Sequence, residues 1–175
     1  NHIMDKVLVY PIFEFLIQFF YKYYHFQPFY GKTLDEISIL KEKEDLNKEI
    51  RALIDKEAIR ELVNLYCQAA DRHDQELMRS LYHEDAEDDH GSFFRGKAME
   101  FIDMLPEIQS NMMILHHNVT THNIKLNGNN AEGETYIIAF HKVKDEAQGH
   151  DVLIGGRYFD KYEKRKGVWK FSKRV

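Results

Sequence analysis

Two places in this chain hold residues of a type that can move a proton. One is the acid that closes Tyr66-Cys67-Gln68-Ala69-Ala70-Asp71, and the other is the histidine pair in Leu115-His116-His117-Asn118. A carboxylate that accepts a hydrogen bond from one ring nitrogen of a histidine fixes the tautomer and leaves a lone pair on the other nitrogen. Such a base can take a proton from carbon while a leaving group departs, or shuttle a proton between carbons, work typically worth ~10²–10⁴ in rate. A carboxylate facing a core also requires a partner, because burying it alone is costly. Asp71 with His117 is therefore the expected acid/base pair. His116 competes for the role, since a one-residue slip or bulge exchanges the two faces of a strand. Developing charge on the substrate calls for a cation or hydroxyl, for which Arg174 and Tyr66 are candidates.

The elements that would position these groups follow from periodicity. Ile59, Leu62, Val63, Tyr66 and Ala70 recur at helical spacing, so Asp71 stands at the end of an amphipathic helix. Asp55 is a candidate N-cap for it. Upstream, Ile37, Leu40, Leu46, Ile50 and Leu53 form a thin apolar stripe among dense charges, which reads as a solvated helix or helix pair. A short helix is expected over Gln75–Tyr82 and a third over Lys97–Leu105, ended or kinked by Pro106. The run His83-Glu84-Asp85-Ala86-Glu87-Asp88-Asp89-His90 is rich in metal-ligand types, yet strand alternation sends its neighbours to opposite faces, so no metal site is assigned. Its inward positions are expected to be Asp89 or His90.

After Pro106 the period changes to that of strands: His122–Leu126, a turn at Asn127-Gly128-Asn129-Asn130, Glu132–Lys144, Val152–Lys164, a turn at Lys166-Gly167, and Val168–Val175. Helices first and antiparallel strands after argue for an α+β fold, with three helices on one face of a strongly curved, mostly antiparallel sheet. Gly155-Gly156 falls inside a strand, which suits a bend or close backbone approach better than a phosphate cradle. No nucleotide loop is present, and the chemistry expected is cofactor-independent.

The chain has 175 residues, 43% of them apolar, enough for one domain with its own core. A formal charge of −5 offers no basic footprint for nucleic acid. Cys67 is the one cysteine, so no intramolecular disulfide forms and a cytoplasmic location is expected. Residues 1–33 form an aromatic-rich extension ahead of a domain spanning 34–175. Pro11, Glu14 and Gln18 interrupt its apolar run, so it is read as packing on protein rather than crossing a membrane.

The stretch Leu153-Ile154-Gly155-Gly156-Arg157-Tyr158-Phe159-Asp160-Lys161-Tyr162 and its continuation through Trp169-Lys170-Phe171-Ser172-Lys173-Arg174 resembles the SnoaL-like branch of the nuclear-transport-factor-2-like superfamily. Within that branch it is similar to hexachlorocyclohexane dehydrochlorinase and, less closely, to bile-acid 7α-dehydratase. Tyr66 with Asp71 five residues on, Asp85, and Gly96 after Phe93-Phe94 fit the same pattern, over roughly Ile50 to Val175. The resemblance implies a cone-shaped α+β barrel and a lyase, dehydratase or dehydrohalogenase, acting on a small, largely apolar, cyclic substrate. It places Asp71 and His117 on the family's dyad, Arg174 on a pocket arginine of the dehydrochlorinase and Tyr66 on a tyrosine of the dehydratase pocket. His116, Trp169, Asp89 and Phe94 complete the expected substrate-binding lining. It further implies a homo-oligomer, trimer or dimer. An isomerase or cyclase would use the same base, and a non-catalytic module for a hydrophobic ligand or a protein is the alternative of a different class. Residues 3–10 read as a continuation of the last strand and are expected beside Val168–Val175 of the same subunit or of a neighbouring one.

Overall fold

The computed structural model describes Lys22, residues 34–144 and residues 151–175. The aromatic-rich extension and the expected pairing of residues 3–10 fall outside the described residues. The chain divides into two compact units, Asn1–Asn47 and Lys48–Val175. Of the first, the described part is Lys22 and the beginning of helix α1 (Leu34–Arg72), where Ile37, Ile39, Leu40 and Leu46 are exposed. One continuous helix thus joins the upstream stripe to the helix expected to start at Asp55, and Asp55, in its interior, caps nothing. Asp55 instead accepts hydrogen bonds from Trp169 Nε1 at 2.8 Å and Lys164 Nζ at 2.7 Å.

The second unit continues with α2 (Gln75–Ser80), β1 (Tyr82–Asp89), β2 (Arg95–Lys97), α3 (Ala98–Gln109), β3 (Met112–Asn127), β4 (Asn130–Val143), β5 (Asp151–Arg165) and β6 (Val168–Arg174). The strands form one sheet in the order β2-β1-β6-β5-β4-β3. β1 runs parallel to β6, and every other pairing is antiparallel. Among the described residues the sheet curves around the helices without closing, and β2 and β3 are its edges. The core lies between them. It joins Ile59, Leu62, Val63, Tyr66 and Ala70 of α1, Phe101, Ile102 and Leu105 of α3, and Tyr82, Tyr162, Trp169 and Phe171 of the sheet. Each large apolar side chain removed from water in this way contributes about 1.5–3 kcal/mol.

Local chemistry explains the breaks. α1 stops because His73 takes φ +56°, a left-handed turn that lets the amide of Asp74 reach the carbonyl of Ala69 at 2.9 Å. Asp74 then caps α2, its Oδ1 accepting from the amide of Leu77 at 2.9 Å. The β5–β6 turn puts both Lys166 and Gly167 at positive φ, as a tight hairpin requires. Crowding falls on Gly133 rather than on Gly155 or Gly156. A Cβ at Gly133 would meet the Tyr162 ring at 2.8 Å, whereas Gly155 faces open space.

Pro106 does not end α3, which runs on to Gln109. Proline deprives the carbonyl of Ile102, four residues earlier, of its helical donor. Gln75 supplies one, its Nε2 donating to Ile102 O at 3.0 Å. Ile102 is fully buried, so Gln75→Ala is expected to cost about 1–3 kcal/mol in urea unfolding. An unchanged midpoint would show that water reaches that carbonyl.

Candidate active site

Asp71 reaches its place because α1 is pinned at its end. Gln109 Nε2 donates to the carbonyl of Ala70 at 3.2 Å, locking the last turn of α1 to the last turn of α3. The Asp71 carboxylate meets β3 at His117. Its Oδ1 accepts from His117 Nδ1 at 2.6 Å, and both oxygens lie 3.1 Å from the backbone amide of the same residue. Because a carboxylate can only accept, Nδ1 is the donor, which in a neutral imidazole leaves the lone pair on Nε2. The two side chains are 21% and 10% exposed, sheltered but still reachable.

A bulge decides which histidine faces inward. Strict alternation back from Ile124 would turn His116 toward the helices. The β3–β4 register shifts between Val119 and Thr121, which reverses the parity, so that Leu115, His117 and Val119 point inward. His116 is exposed on the outer face.

His141 on β4, which the sequence alone leaves as polar lining or surface, belongs to the site's surroundings. It pairs with Leu115 and so shares the inward face with His117, whose ring centroid is 5.4 Å away. Its Nε2 is buried and has no hydrogen-bond partner among the described residues. Burial, followed by the neighbouring His117, pushes its pKa down, with Asp71 opposing. The available signal was its position two residues beyond Ala139 on a strand whose alternate residues are small or apolar.

Beneath the dyad lies a second polar layer. Arg174 is fully buried, with Nε and Nη2 each donating to Asp160 at 2.8 Å. Its guanidinium carbon lies 3.9 Å from the ring centre of Tyr66, 4.1 Å from that of Tyr158 and 4.3 Å from that of Phe171. Arg174 is thus enclosed by three aromatic rings and Asp160, and its Nη1 has no hydrogen-bond partner among the described residues. Asp160 also accepts from Tyr162 OH at 2.9 Å, which in turn lies 3.2 Å from His122 Nε2. Tyr66 is buried, and Cys67 beside it has its thiol pushed up to about 11 by burial, which removes it as a nucleophile.

The remaining expected lining lies elsewhere. Asp89 pairs with Arg95 at 2.8 Å and accepts from the amide of Gly91, so the inward carboxylate of β1 is Asp88. Asp88 Oδ2 accepts from Tyr82 OH at 3.1 Å. Its Oδ1 comes within 3.1 Å of His90 Nε2 but out of line for a hydrogen bond, while His90 stacks on Phe101. Of the other acids of that run, Asp85 pairs outward with Arg165 and Glu87 with Lys173. Trp169 is tied to Asp55, and Phe94 packs on Phe101, its ring centre 5.3 Å away. Neither makes a described contact with the dyad.

Burial lowers the pKa of His122 as it does that of His141. A histidine whose folded pKa lies below its unfolded value of about 6.5 binds fewer protons when folded, so stability falls as pH drops from that value toward the lower folded one. Urea midpoints are expected to decrease from pH 7 to pH 5.5, with a shallower decrease in His122→Gln. Identical slopes would remove His122 from this account.

Three helices packed on an open, curved, mostly antiparallel six-stranded sheet form the fold of a nuclear-transport-factor-2-like domain. The chain belongs to the SnoaL-like domain family, whose model matches residues 51–175. Among solved structures it is similar to LinA, at 24% identity over 72% of this chain and 86% of that chain, with a TM-score of 0.66. Hexachlorocyclohexane dehydrochlorinase LinA-type3 from Novosphingobium barchaimii LL02 matches at 22% identity over 72% and 87%, with a TM-score of 0.65. The Kfla4162 protein from Kribbella flavida matches at 19% over 70% and 89%, also with a TM-score of 0.65. Identities this low establish the shared fold. No curated protein matches the sequence. Among the described residues no helix is long and apolar enough to cross a membrane.

Proposed function

We propose that this SnoaL-like chain is a cofactor-independent lyase in which His117 Nε2 removes a proton from carbon and Asp71 holds the imidazole. The contact that carries the reading is the 2.6 Å hydrogen bond from His117 Nδ1 to Asp71, reinforced by the backbone amide of the same residue. A double grip on one carboxylate fixes both the tautomer and the ring direction, which is the arrangement general-base catalysis needs. As the proton arrives at Nε2, the positive charge on the ring has a carboxylate already in place. Hydroxyls stacked on Arg174, that of Tyr66 first, offset the charge that develops on the substrate. An isomerase would return the same proton to another carbon with the same groups.

A non-catalytic container would not require the acid and the imidazole to touch, and their contact favours the enzyme. The reading extends to a small, largely apolar, cyclic substrate. That a solved relative is a hexachlorocyclohexane dehydrochlorinase by name makes halide release one assay and water loss from hydroxylated rings the other. Turnover of any member of such a panel by the wild type, lost in His117→Ala, is the supporting result.

Assembly into a homo-oligomer is part of the same reading. The outer face of the sheet exposes Tyr136 and Ile138 on β4 and Leu153 and Phe159 on β5, side by side on paired strands. Apolar side chains grouped this way suit contact with a second copy. Light scattering is expected to give a dimer or trimer, and a monomer at micromolar concentration would contradict it.

A further inference from the structure

One side of α1 changes character along its length. From Glu57 onward the side turned away from the core carries Glu57, Arg60, Asn64 and Gln68, all exposed, as a solvent face does. Followed back by steps of three and four, the same line of positions carries Leu53, Ile50, Leu46 and Ile39, each between 43% and 66% exposed. Ile59, Leu62, Val63 and Tyr66, which enter the core, lie on the opposite side of the helix. The exposed stripe therefore does not serve this domain's own core. Ile39, Leu46 and Ile50 also precede residue 51, where the match to the SnoaL-like family begins.

The spacing suits a helical partner. Ile39, Leu46 and Leu53 recur every seven residues, and this period of 3.5 keeps a seam turned toward a neighbouring helix. In a heptad these three take the d positions and Lys43 and Ile50 the a positions, while Leu40 and Ile54 widen the seam at e. Isoleucine at a with leucine at d favours two parallel strands, and a single lysine at a fixes register and strand number. The charges agree with that direction. In a parallel pair Lys43 falls beside Glu42, the g residue of the opposite chain. Antiparallel pairing would instead set Glu42 and Glu49 of the two chains along one flank, where like charges repel.

We propose that residues 39–54 of α1 pair in parallel with the same residues of a second copy of this chain, Leu46 against Leu46 and Leu53 against Leu53. The stripe is a surface separate from the outer face of the sheet. Its pairing is independent of the lyase reading.

The native chain has one cysteine, the buried Cys67, so a cysteine added on α1 reports alone. Mild oxidation of the full-length Leu53→Cys protein is expected to convert most of it to a covalent dimer, because paired d positions lie within disulfide reach. Ile37→Cys, also exposed but half a turn around the helix from the seam, is expected to stay single-chain on a denaturing gel. Leu46→Lys, added to Leu53→Cys, sets two charges at the centre of the seam and is expected to slow the cross-link about tenfold or more. Phe159→Glu, added instead, disturbs the sheet's outer face and is expected to leave that rate within about twofold. The proposal is overturned if Leu53→Cys remains single-chain, if it cross-links no faster than Ile37→Cys, or if it links to Ile39→Cys in preference to itself, the mark of an antiparallel pair. No turnover is read, so a failure of His117 as base leaves each of these results intact.

Discussion

His117→Ala is expected to lower turnover by about 10²–10⁴-fold, leaving the cooperative unfolding transition in place. The ring is 10% exposed and stands beside the inward side chain of His141 rather than deep in the Tyr82–Phe171 core, so its removal trims the chamber wall without opening the core. No other described group can inherit the task with the same support. His141 has a buried, unpartnered Nε2, and its lowered pKa makes it a weaker base. Steady-state rates on the substrate found by the elimination panel check this. Undiminished turnover in the purified variant would remove His117 from the mechanism.

Asp71→Asn should cost nearly as much for a different reason. Asparagine keeps the shape and can still accept from the His117 backbone amide, so the junction of α1 with β3 survives. Its amide nitrogen, however, donates. Turned toward the imidazole it selects the tautomer with the proton on Nε2, and the lone pair then points at residue 71 instead of the substrate. A loss of about 10²–10⁴-fold in kcat is expected, with KM changed little, since the variant alters the direction of the base rather than the walls that bind. A variant that raised KM alone would identify Asp71 as part of the binding surface.

Much of this arrangement was legible before any coordinates. The order of helices and strands, the turns at Asn127–Asn130 and Lys166-Gly167, and the acid at the end of a helix all express local rules of periodicity and backbone freedom. What escaped was set by contacts across the chain. Nothing near Pro106 announces that Gln75 will satisfy the carbonyl it orphans, and the cap expected of Asp55 gave way to hydrogen bonds with Trp169 and Lys164, more than a hundred residues away. The parity of β3 could not be counted, because the bulge after Val119 is a property of the β3–β4 pairing. Asp89 and Asp88 are adjacent identical residues, so only the register of β1 against β6 shows that Asp88, opposite Arg174, is the buried one. The resemblance singled out Arg174, but nothing local announces its enclosure by three aromatic rings and Asp160.

The ring nitrogens of His117 bear the central claim, and nitrogen-15 NMR of histidine-labelled protein reads them directly. The account predicts a neutral imidazole with its proton on Nδ1, a strongly deshielded proton shared with Asp71, and loss of that signal in Asp71→Asn. A His117 resonance showing the proton on Nε2 in the wild type would contradict it, because the nitrogen assigned to take the proton from carbon would already hold one.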